Sequence, residues 1–371
     1  MVRVTHLLLS LELGGLERGA VNVIRASSKE FRHSVLCLRR LGPREGDLPE
    51  DVERRSLGIA SGTRPGSVLR LRRELRALKP DLLRCYNQEA LLHAVPAAAF
   101  TSVPLIYYNG GRTLPEHPRR LRMERWLCPF VSRVVVPSSD LAEYMERVVG
   151  VRHDRIRVVE NGVDAERFHP GRLSAGERAD LGLPTNGRLL GTIGRLSPQK
   201  DHPTLLRAFA QVARRVGDLR LLIVGDGPER SRLEALAHEL GLSDRVLFYG
   251  TTTETAPIYR GLEAFALTSR WEGLSNVVLE AMASGVPVVA TRVEGTTRVL
   301  TDGLNGFVVE VGDADGVAEK LVRLIQDPEL AGQLGAAGLE RVRRDFSLSR
   351  MAREYEALYE DVLAESPRSS G

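Results

Sequence analysis

The chain has 371 residues, 43% of them hydrophobic and 27% charged, which is typical of globular proteins and too long for one ordinary domain. No stretch approaches the roughly 18 consecutive apolar residues of a membrane span, and three widely spaced cysteines exclude a disulfide framework and a cysteine-ligated metal site. The net charge of +4 is uneven, because residues 1–170 carry 28 Lys and Arg against 20 Asp and Glu, whereas the remainder carries 24 against 28.

Strand-like apolar runs alternate with amphipathic helical stretches from one end of the chain to the other. The strands predicted in the first half are VTHLLLSL, HSVLCL, DLLRCY, PLIYYN, SRVVVPS and IRVVENG. Those predicted in the second half are RLLGTIGRL, LRLLIVGDG, RVLFYGT, AFALTS, PVVATR and GFVVEV. Because strands that alternate with helices form βαβ units with parallel pairing, two such sets predict two doubly wound α/β domains.

The boundary between the two domains is expected in FHPGRLSAGERADLGLPTNG, residues 168–187, where the pattern lapses into Pro, Gly and Ser. We predict an N-terminal domain over 1–172, a C-terminal domain over 173–346 and a capped amphipathic helix over 347–365. Ligands of such folds bind beyond the carboxyl ends of the strands, so the cleft between the domains is the expected active site.

Two glycine-containing loops of the second half follow predicted strands. In GTIGRLSPQK, Arg195 and Lys200 leave the same strand end, where a guanidinium fork and a mobile ammonium would suit a diphosphate. Two solvated loop cations are the simpler interpretation. In LLIVGDGPER, the amides of Gly225 and Gly227 either contact a ligand or only trace a tight turn. GxGxxG is absent from both halves, which disfavours a dinucleotide-dependent dehydrogenase.

The stretch SRWEGLSNVVLEAMASGVPVVAT contains two glutamates in unusual places. Glu280 lies among apolar neighbours in a helix predicted to start after Ser275 and to stop at Gly285. A buried carboxylate needs a hydrogen-bond donor, such as the vicinal diol of a ribose or a core arginine. Glu272 follows a strand beside Gly273, where it either projects toward a ligand or caps the loop. The free amides at this helix N-terminus favour an anion such as a phosphate.

Motifs over nearly the whole chain resemble the family 4 retaining glycosyltransferases of the GT-B fold. They are E-x7-E in EGLSNVVLE with AMASGVPVVAT after it, GGLERGAVNVI, VVVPSSDL, VVENGVDAERFHP, GRLSPQKDHPTLLRAFA, LLIVGDGP and GLNGFVVEVGD. The resemblance implies two Rossmann-like α/β domains facing each other across a cleft, with the C-terminal helix crossing back to the N-terminal domain. It also implies transfer of a hexose, with retention of configuration, from a UDP-, GDP- or ADP-sugar.

The resemblance further implies roles for individual residues. Glu280 would bind the ribose and Glu272 the hexose hydroxyls, while Arg195 and Lys200 would neutralise the diphosphate leaving group. Backbone contacts to the donor would come from Gly14, Gly15, Gly194, Gly225, Gly227, Gly273, Leu274, Ser275 and Asn276. The departing phosphate would act as the base. We expect no metal and no cofactor, because two cations with helix amides can stabilise the diphosphate.

The sequence departs from the family pattern in two loops. Many members carry a histidine after a strand of the N-terminal domain, whereas PLIYYNGGRTLPEH has Asn109 and Arg112 there. Either one of these residues takes over the sugar contact or the contact is lost. The family's frequent Gly-Gly-x-x-Glu is replaced by EGTTR, residues 294–298. The missing histidine supports a second hypothesis, a catalytically silent sugar-nucleotide-binding scaffold or regulatory subunit. A third hypothesis, an epimerase or phosphorylase of this shape, is weaker, since no pyridoxal lysine of a phosphorylase is identifiable.

The acceptor is predicted to be a glycan or a lipid-linked or phosphorylated molecule, and no nucleic acid partner is expected. RTLPEHPRRLRMERW concentrates five arginines on the expected acceptor side. They either attract such an acceptor at a membrane surface or form a solvated helix face. We therefore expect a cytoplasmic protein that is free or in peripheral contact with the inner face of the membrane.

Overall fold

The computed structural model describes residues 1–12, 14–59, 62, 64–99, 101–111 and 118–366. Within them the chain forms two units, one of Met1–Gly162 with the segment from Leu348 onward and one of Val163–Ser347. The helices of the described residues are α1 (Gly15–Ala26), α2 (Pro65–Leu78), α3 (Asn87–Ala98), α4 (Pro118–Leu127), α5 (Ser139–Tyr144), α6 (Ala175–Asp180), α7 (His202–Arg215), α8 (Arg230–Glu239), α9 (Ala256–Arg260), α10 (Asn276–Ala283), α11 (Glu294–Thr297), α12 (Ala314–Gln326), α13 (Pro328–Asp345) and α14 (Leu348–Glu365).

The first unit contains a parallel sheet. Its strands are β1 (Val2–Ser10), β2 (Phe31–Arg40), β3 (Glu53–Ser56), β4 (Leu82–Tyr86), β5 (Leu105–Tyr108), β6 (Arg133–Val136) and β7 (Ile156–Val158). They lie in the order β3-β2-β1-β4-β5-β6-β7. Along β2, Val35 and Cys37 join one hydrophobic cluster and Leu36 and Leu38 another, so both faces of the sheet are covered, as parallel sheets require.

The second unit contains a second parallel sheet. Its strands are β8 (Arg188–Ile193), β9 (Leu219–Val224), β10 (Val246–Gly250), β11 (Ala264–Leu267), β12 (Val288–Thr291) and β13 (Phe307–Val309). They lie in the order β10-β9-β8-β11-β12-β13. All six strands predicted for this half are present. The strand that the sequence analysis missed is β3 in the first unit, because its residues ERRS are polar and mostly exposed at the sheet edge.

The boundary between the units differs from the predicted one. The units divide between Gly162 and Val163 rather than after residue 172. The amide of Val163 donates to the carbonyl of Phe346 at 2.9 Å, and Phe168 joins the core of the second unit. Residues 163–172 therefore pack with the second unit, because their few apolar side chains are buried there despite the proline- and glycine-rich context.

Helix α14 belongs to the first unit. Its buried face, which includes Tyr355 and Tyr359, joins the cluster that covers one face of the first sheet. The guanidinium of Arg84, on β4, lies 3.8 Å from the ring centre of Tyr355 and donates to the hydroxyl of Tyr359 at 3.0 Å. In the part of the chain that is described, no helix is long and apolar enough to cross a membrane.

Candidate active site

The second sheet reverses its strand order between β8 and β11, which pair in parallel through Ala264 and Leu190. At such a switch point the loops from the two carboxyl ends diverge and leave a crevice, which is where ligands of doubly wound sheets bind. Lys200 follows β8 and Glu272 follows β11. The topology therefore brings together two residues that the sequence analysis assigned to the donor.

Lys200 and Glu272 form an ion pair, with Nζ of the lysine 2.6 Å from Oε1 of the glutamate. The hydroxyl of Ser269 donates to the same oxygen at 2.5 Å. The two side chains of the pair are largely buried, at 15% and 9% exposed. Among the described residues no donor contacts Oε2 of Glu272, so this oxygen can accept a further hydrogen bond.

Hydrogen bonds tie the two loops to each other. The hydroxyl of Thr268 donates to the carbonyl oxygens of Lys200 at 3.1 Å and Asp201 at 3.0 Å. Nε2 of Gln199 donates to the carbonyl oxygen of Trp271 at 2.9 Å. Because each loop holds the other, the ion pair is positioned before any ligand binds.

Two other basic residues stand beside the pair. Arg195 is exposed, and it makes no ion pair or hydrogen bond within the described chain. His202 begins α7 and is 2% exposed, and its Nδ1 has no partner among the described residues. Burial, with a smaller contribution from the nearby Lys200, lowers the pKa of His202 to about 4. His202 is therefore uncharged at neutral pH and adds no positive charge to this loop.

The three glycines predicted to contact the donor in the β8 and β9 loops have local structural roles. Gly225 has φ +132°, and a Cβ atom there would lie 2.0 Å from the carbonyl oxygen of Gly194. The amide of Gly225 donates to Gly250 at 2.7 Å, that of Gly227 to Oδ1 of Asp226 at 2.7 Å, and that of Gly194 to β9 at 2.9 Å. These amides are already bonded within the chain, which favours the tight-turn alternative over ligand contact.

Helix α10 buries the second glutamate of the motif. Glu280 is 2% exposed, and the hydroxyl of Tyr259 donates to its Oε2 at 3.0 Å. Ser275 occupies the N-cap position, but its buried hydroxyl makes no cap bond and no other hydrogen bond among the described residues. Leu274 is buried, and Asn276 begins the helix. The N-terminus of α10 thus follows directly after the loop that contains Glu272.

The unusual EGTTR loop packs against the same place. It forms α11, and a Cβ atom at Gly295 would lie 1.3 Å from the carbonyl oxygen of Gly273 and 3.0 Å from Cβ of Glu272. No side chain fits at this position, so Gly295 is required by a close approach of two backbones. The loop that departs from the family pattern therefore lies beside the carboxylate assigned to the sugar.

In the first unit, Glu17 lies over the glycine turn that follows β1. A Cβ atom at Gly14 would meet Oε2 of Glu17 at 2.1 Å, and Gly15 begins α1. Burial raises the pKa of Glu17. The carboxylate thus lies against the glycine turn that was predicted to contact the donor phosphates, and a ligand could approach Gly14 only after the side chain of Glu17 moved. Its third position in the helix is where capping glutamates occur, a signal that the sequence analysis missed.

Asn109 does not present its side chain as a replacement for the missing histidine. It is 5% exposed, its Nδ2 donates to Oε1 of Glu124 at 2.7 Å, and its Oδ1 accepts from the amide of Gly111 at 2.9 Å. Glu124, on α4, is fully buried and also accepts hydrogen bonds from Tyr107 at 2.7 Å and Gln88 at 2.8 Å. The side chain therefore anchors the loop after β5, which favours the alternatives in which Asn109 does not contact the sugar.

Arg112, the other residue predicted to contact the sugar, lies outside the described residues. Glu124 was not among the predicted site residues, because its partners come from three other elements of the first unit. The one signal for its burial was that it is the sole acidic residue in PRRLRMERW. Within the described chain, no group of three or more His, Cys, Asp or Glu side chains could hold a metal ion.

Two family models match successive parts of the chain. The model described as "Glycosyltransferase Family 4" matches residues 13–167, and that described as "Glycosyl transferases group 1" matches residues 175–341. The lipopolysaccharide core biosynthesis glycosyltransferase LpsE of Rhizobium meliloti is 30% identical over 363 residues, which cover 95% of this chain and 98% of that protein. The D-inositol 3-phosphate glycosyltransferase of Saccharomonospora viridis is 34% identical over 261 residues, which cover 67% of this chain and 60% of that protein.

A similar solved structure is that of Anabaena Alr3699/HepE in complex with UDP and glucose. It superimposes with a TM-score of 0.85 at 22% identity, and the match covers 97% of this chain and 100% of that chain. At this identity the similarity concerns the fold, and it agrees with the two parallel sheets described above.

Proposed function

The chain belongs to the family 4 glycosyltransferases of the GT-B fold, and on that basis we propose that it transfers a hexose, with retention, from a nucleoside diphosphate sugar. The family and the α/β fold class predicted from the sequence are confirmed. The observation that supports the proposed reaction best is the ion pair of Lys200 and Glu272 at the switch point of the second sheet. In the proposed site, Lys200 would bind a phosphate and the neighbouring Glu272 would bind hydroxyl groups.

Charge develops on both sides of the bond that breaks. As the bond between the anomeric carbon and the diphosphate lengthens, negative charge grows on the diphosphate and positive charge on the sugar. Arg195, Lys200 and the amides before α10 would stabilise the first. Glu272, held through Oε1 by Lys200 and Ser269, would bind a hexose hydroxyl through Oε2 and favour the second.

Retention follows from attack on the face that the leaving group vacates. In the proposed reaction the acceptor oxygen bonds to the anomeric carbon while its proton passes to an oxygen of the departing diphosphate. Atoms and charge balance without a protein nucleophile, a metal or a cofactor, and we propose none. Glu280 would bind the ribose, sharing its carboxylate with the hydroxyl of Tyr259.

The donor is proposed to be a UDP-, GDP- or ADP-sugar and the acceptor a glycan or a lipid-linked or phosphorylated molecule. Two relatives support this class of acceptor, since one is named for lipopolysaccharide core biosynthesis and the other for D-inositol 3-phosphate. We propose a cytoplasmic location with peripheral contact of the basic first half to the inner face of the membrane.

A catalytically silent sugar-nucleotide-binding protein is the alternative, and the buried Asn109 favours it because this side chain supplies no contact to a sugar. A panel of UDP-, GDP- and ADP-sugars, screened by thermal shift and then by release of nucleoside diphosphate, separates the two. An enzyme should release nucleoside diphosphate slowly from its donor alone and faster with an acceptor. Stabilisation by a donor without any release would support the silent protein, and stabilisation by none would reject both.

A further inference from the structure

Helix α4 and the turn after it present two aromatic side chains to solvent. Trp126 is 79% exposed and Phe130 is 71% exposed. Trp271, the next most exposed aromatic residue described, is 49% exposed. Neither Trp126 nor Phe130 contributes to the cores of the first unit. Two large apolar side chains exposed to solvent on one short segment indicate an interaction surface.

The buried carboxylate of Glu124 fixes which side of α4 faces outward. It accepts hydrogen bonds from three side chains of the first unit, so this side of the helix faces inward. Because successive helical residues are rotated by about 100°, Trp126 lies about 200° away, on the opposite side. Arg119 and Arg122 lie within about 40° of Trp126 by the same geometry. The outward stripe of the helix therefore combines two arginines with a tryptophan.

The charge on this surface is entirely positive. The exposed side chains of α4 include four arginines, and the sole acidic residue between Pro118 and Phe130 is the buried Glu124. Within the described chain, three of these arginines make no ion pair, and the fourth donates to a backbone carbonyl. The four are Arg119, Arg120, Arg122 and Arg125. Arg119 and Arg122, which share the outward side of the helix with Trp126, are called the α4 surface here together with Trp126 and Phe130.

We propose that the α4 surface docks the protein on an anionic lipid bilayer. Tryptophan favours the level of the lipid headgroups, and each arginine near an anionic surface adds electrostatic attraction. A symmetric contact between two copies is disfavoured, because it would place these arginines against the same arginines of the second copy. The inference rests on the proposed function, because docking on the bilayer would bring the protein to a lipid-linked acceptor. Its test measures membrane binding and needs no catalysis.

Fluorescence of Trp126 tests the contact directly. The chain has two tryptophans, so Trp271→Phe leaves Trp126 as the only one. With vesicles of phosphatidylglycerol and phosphatidylcholine, its emission should shift to the blue and be quenched by brominated lipid. Binding should be at least tenfold weaker with vesicles of phosphatidylcholine alone. An emission unchanged at lipid concentrations that sediment the protein would overturn the proposal, as would an absence of sedimentation.

Paired variants identify the residues responsible. Arg119→Glu/Arg122→Glu and Trp126→Ser/Phe130→Ser should each weaken vesicle binding at least tenfold. Their controls are Arg214→Glu/Arg215→Glu, an equal charge change at the exposed end of α7, and Leu304→Ser, which removes a side chain that is 65% exposed in the second unit. The controls should change binding less than twofold. Equal losses in variants and controls would contradict a specific surface.

Two further measurements separate this proposal from its alternatives. If Trp126→Ser/Phe130→Ser converts a dimer to a monomer in light scattering and leaves vesicle binding intact, the surface joins copies of the chain and the membrane proposal is wrong. The same variant should keep its rate of nucleoside diphosphate release from a soluble donor, because neither residue belongs to the donor site. If the unaltered protein and its variants bind vesicles as expected but none of them turns over a donor, the proposed function is wrong and the membrane proposal for the α4 surface is retained.

Discussion

Nζ of Lys200 lies 2.6 Å from Oε1 of Glu272, although 72 residues separate them along the chain. The cation assigned to the diphosphate and the carboxylate assigned to the hexose thus form one ion pair. Each orients the other, and a ligand that displaces either from the pair must replace the interaction that it breaks. The two residues should therefore act together in turnover.

We expect Arg195→Ala and Lys200→Ala each to lower the turnover rate at least tenfold. The reason is the loss of charge stabilisation on the departing diphosphate, on the order of 1.4 kcal/mol or more. Arg215→Ala and Lys320→Ala, exposed or partly exposed cations of α7 and α12, serve as controls and should change turnover less than twofold. Steady-state kinetics checks this, and near-normal turnover of a folded Arg195→Ala/Lys200→Ala protein would reject the assignment.

The ion pair predicts non-additive effects in a double-mutant cycle. Lys200→Gln leaves the largely buried Glu272 without its cation, and Glu272→Gln does the converse, so each single change carries the cost of an unpaired partner. The double variant should therefore lose less than the product of the two single effects, with a coupling of roughly 0.5–3 kcal/mol in kcat/KM. Effects of the two single changes that simply multiply would show that Lys200 and Glu272 are not coupled in turnover.

Gly225→Ala should destabilise the second unit. Its φ of +132° disfavours any side chain, and the added Cβ atom would lie 2.0 Å from a backbone oxygen that cannot move freely. We expect the free energy of unfolding in urea to fall by more than about 1 kcal/mol. Gly217→Ala is the matched control, since its Cβ atom would meet no atom within 4 Å. Equal stability of the two variants would refute the steric argument.

His202 should make the protein less stable in acid. Its folded pKa of about 4 lies below the unfolded value of 6.5, so between these values the unfolded chain binds a proton that the folded chain does not. The stability contribution is complete above pH 6.5 and is lost as the pH falls to 4. At 1.36 kcal/mol per pH unit, the loss is about 3 kcal/mol. His202→Gln should remove this part of the pH dependence in urea unfolding, and an unchanged slope would contradict it.

Much of the fold was predictable because parallel strands buried on both faces are continuous apolar runs, such as LIYY of β5. The edge strand β3 has no such run, and its place beside β2 depends on the rest of the sheet. The unit boundary was misplaced for a related reason. Val163 and Phe168 are held by contacts with distant residues that local composition does not show.

The site was predictable as a set of residues and not as a set of contacts. The motifs around Lys200, Glu272 and Glu280 indicated donor binding, whereas their partners depend on which loops the sheet order brings together. The side chain of Glu17 lies against the Gly14 turn, and Glu124 accepts a hydrogen bond from the buried Asn109. The positions of both acidic side chains depend on the folded chain and cannot be read from the local sequence. Glycines that looked like ligand contacts instead allow loops to approach each other.

Titration calorimetry of Glu272→Gln and Glu280→Gln, with the nucleoside diphosphate and with the full sugar nucleotide, tests the proposed donor site most directly. Glu280→Gln should weaken both ligands at least tenfold, because losing a charged hydrogen bond costs roughly 1.5–3 kcal/mol. Glu272→Gln removes the partner that orients Lys200 as well as the contact to the hexose, so it should weaken the sugar nucleotide several-fold more than the nucleoside diphosphate, with its larger effect on turnover. Equal weakening of both ligands by both variants would contradict the account and would assign the two carboxylates to holding one loop.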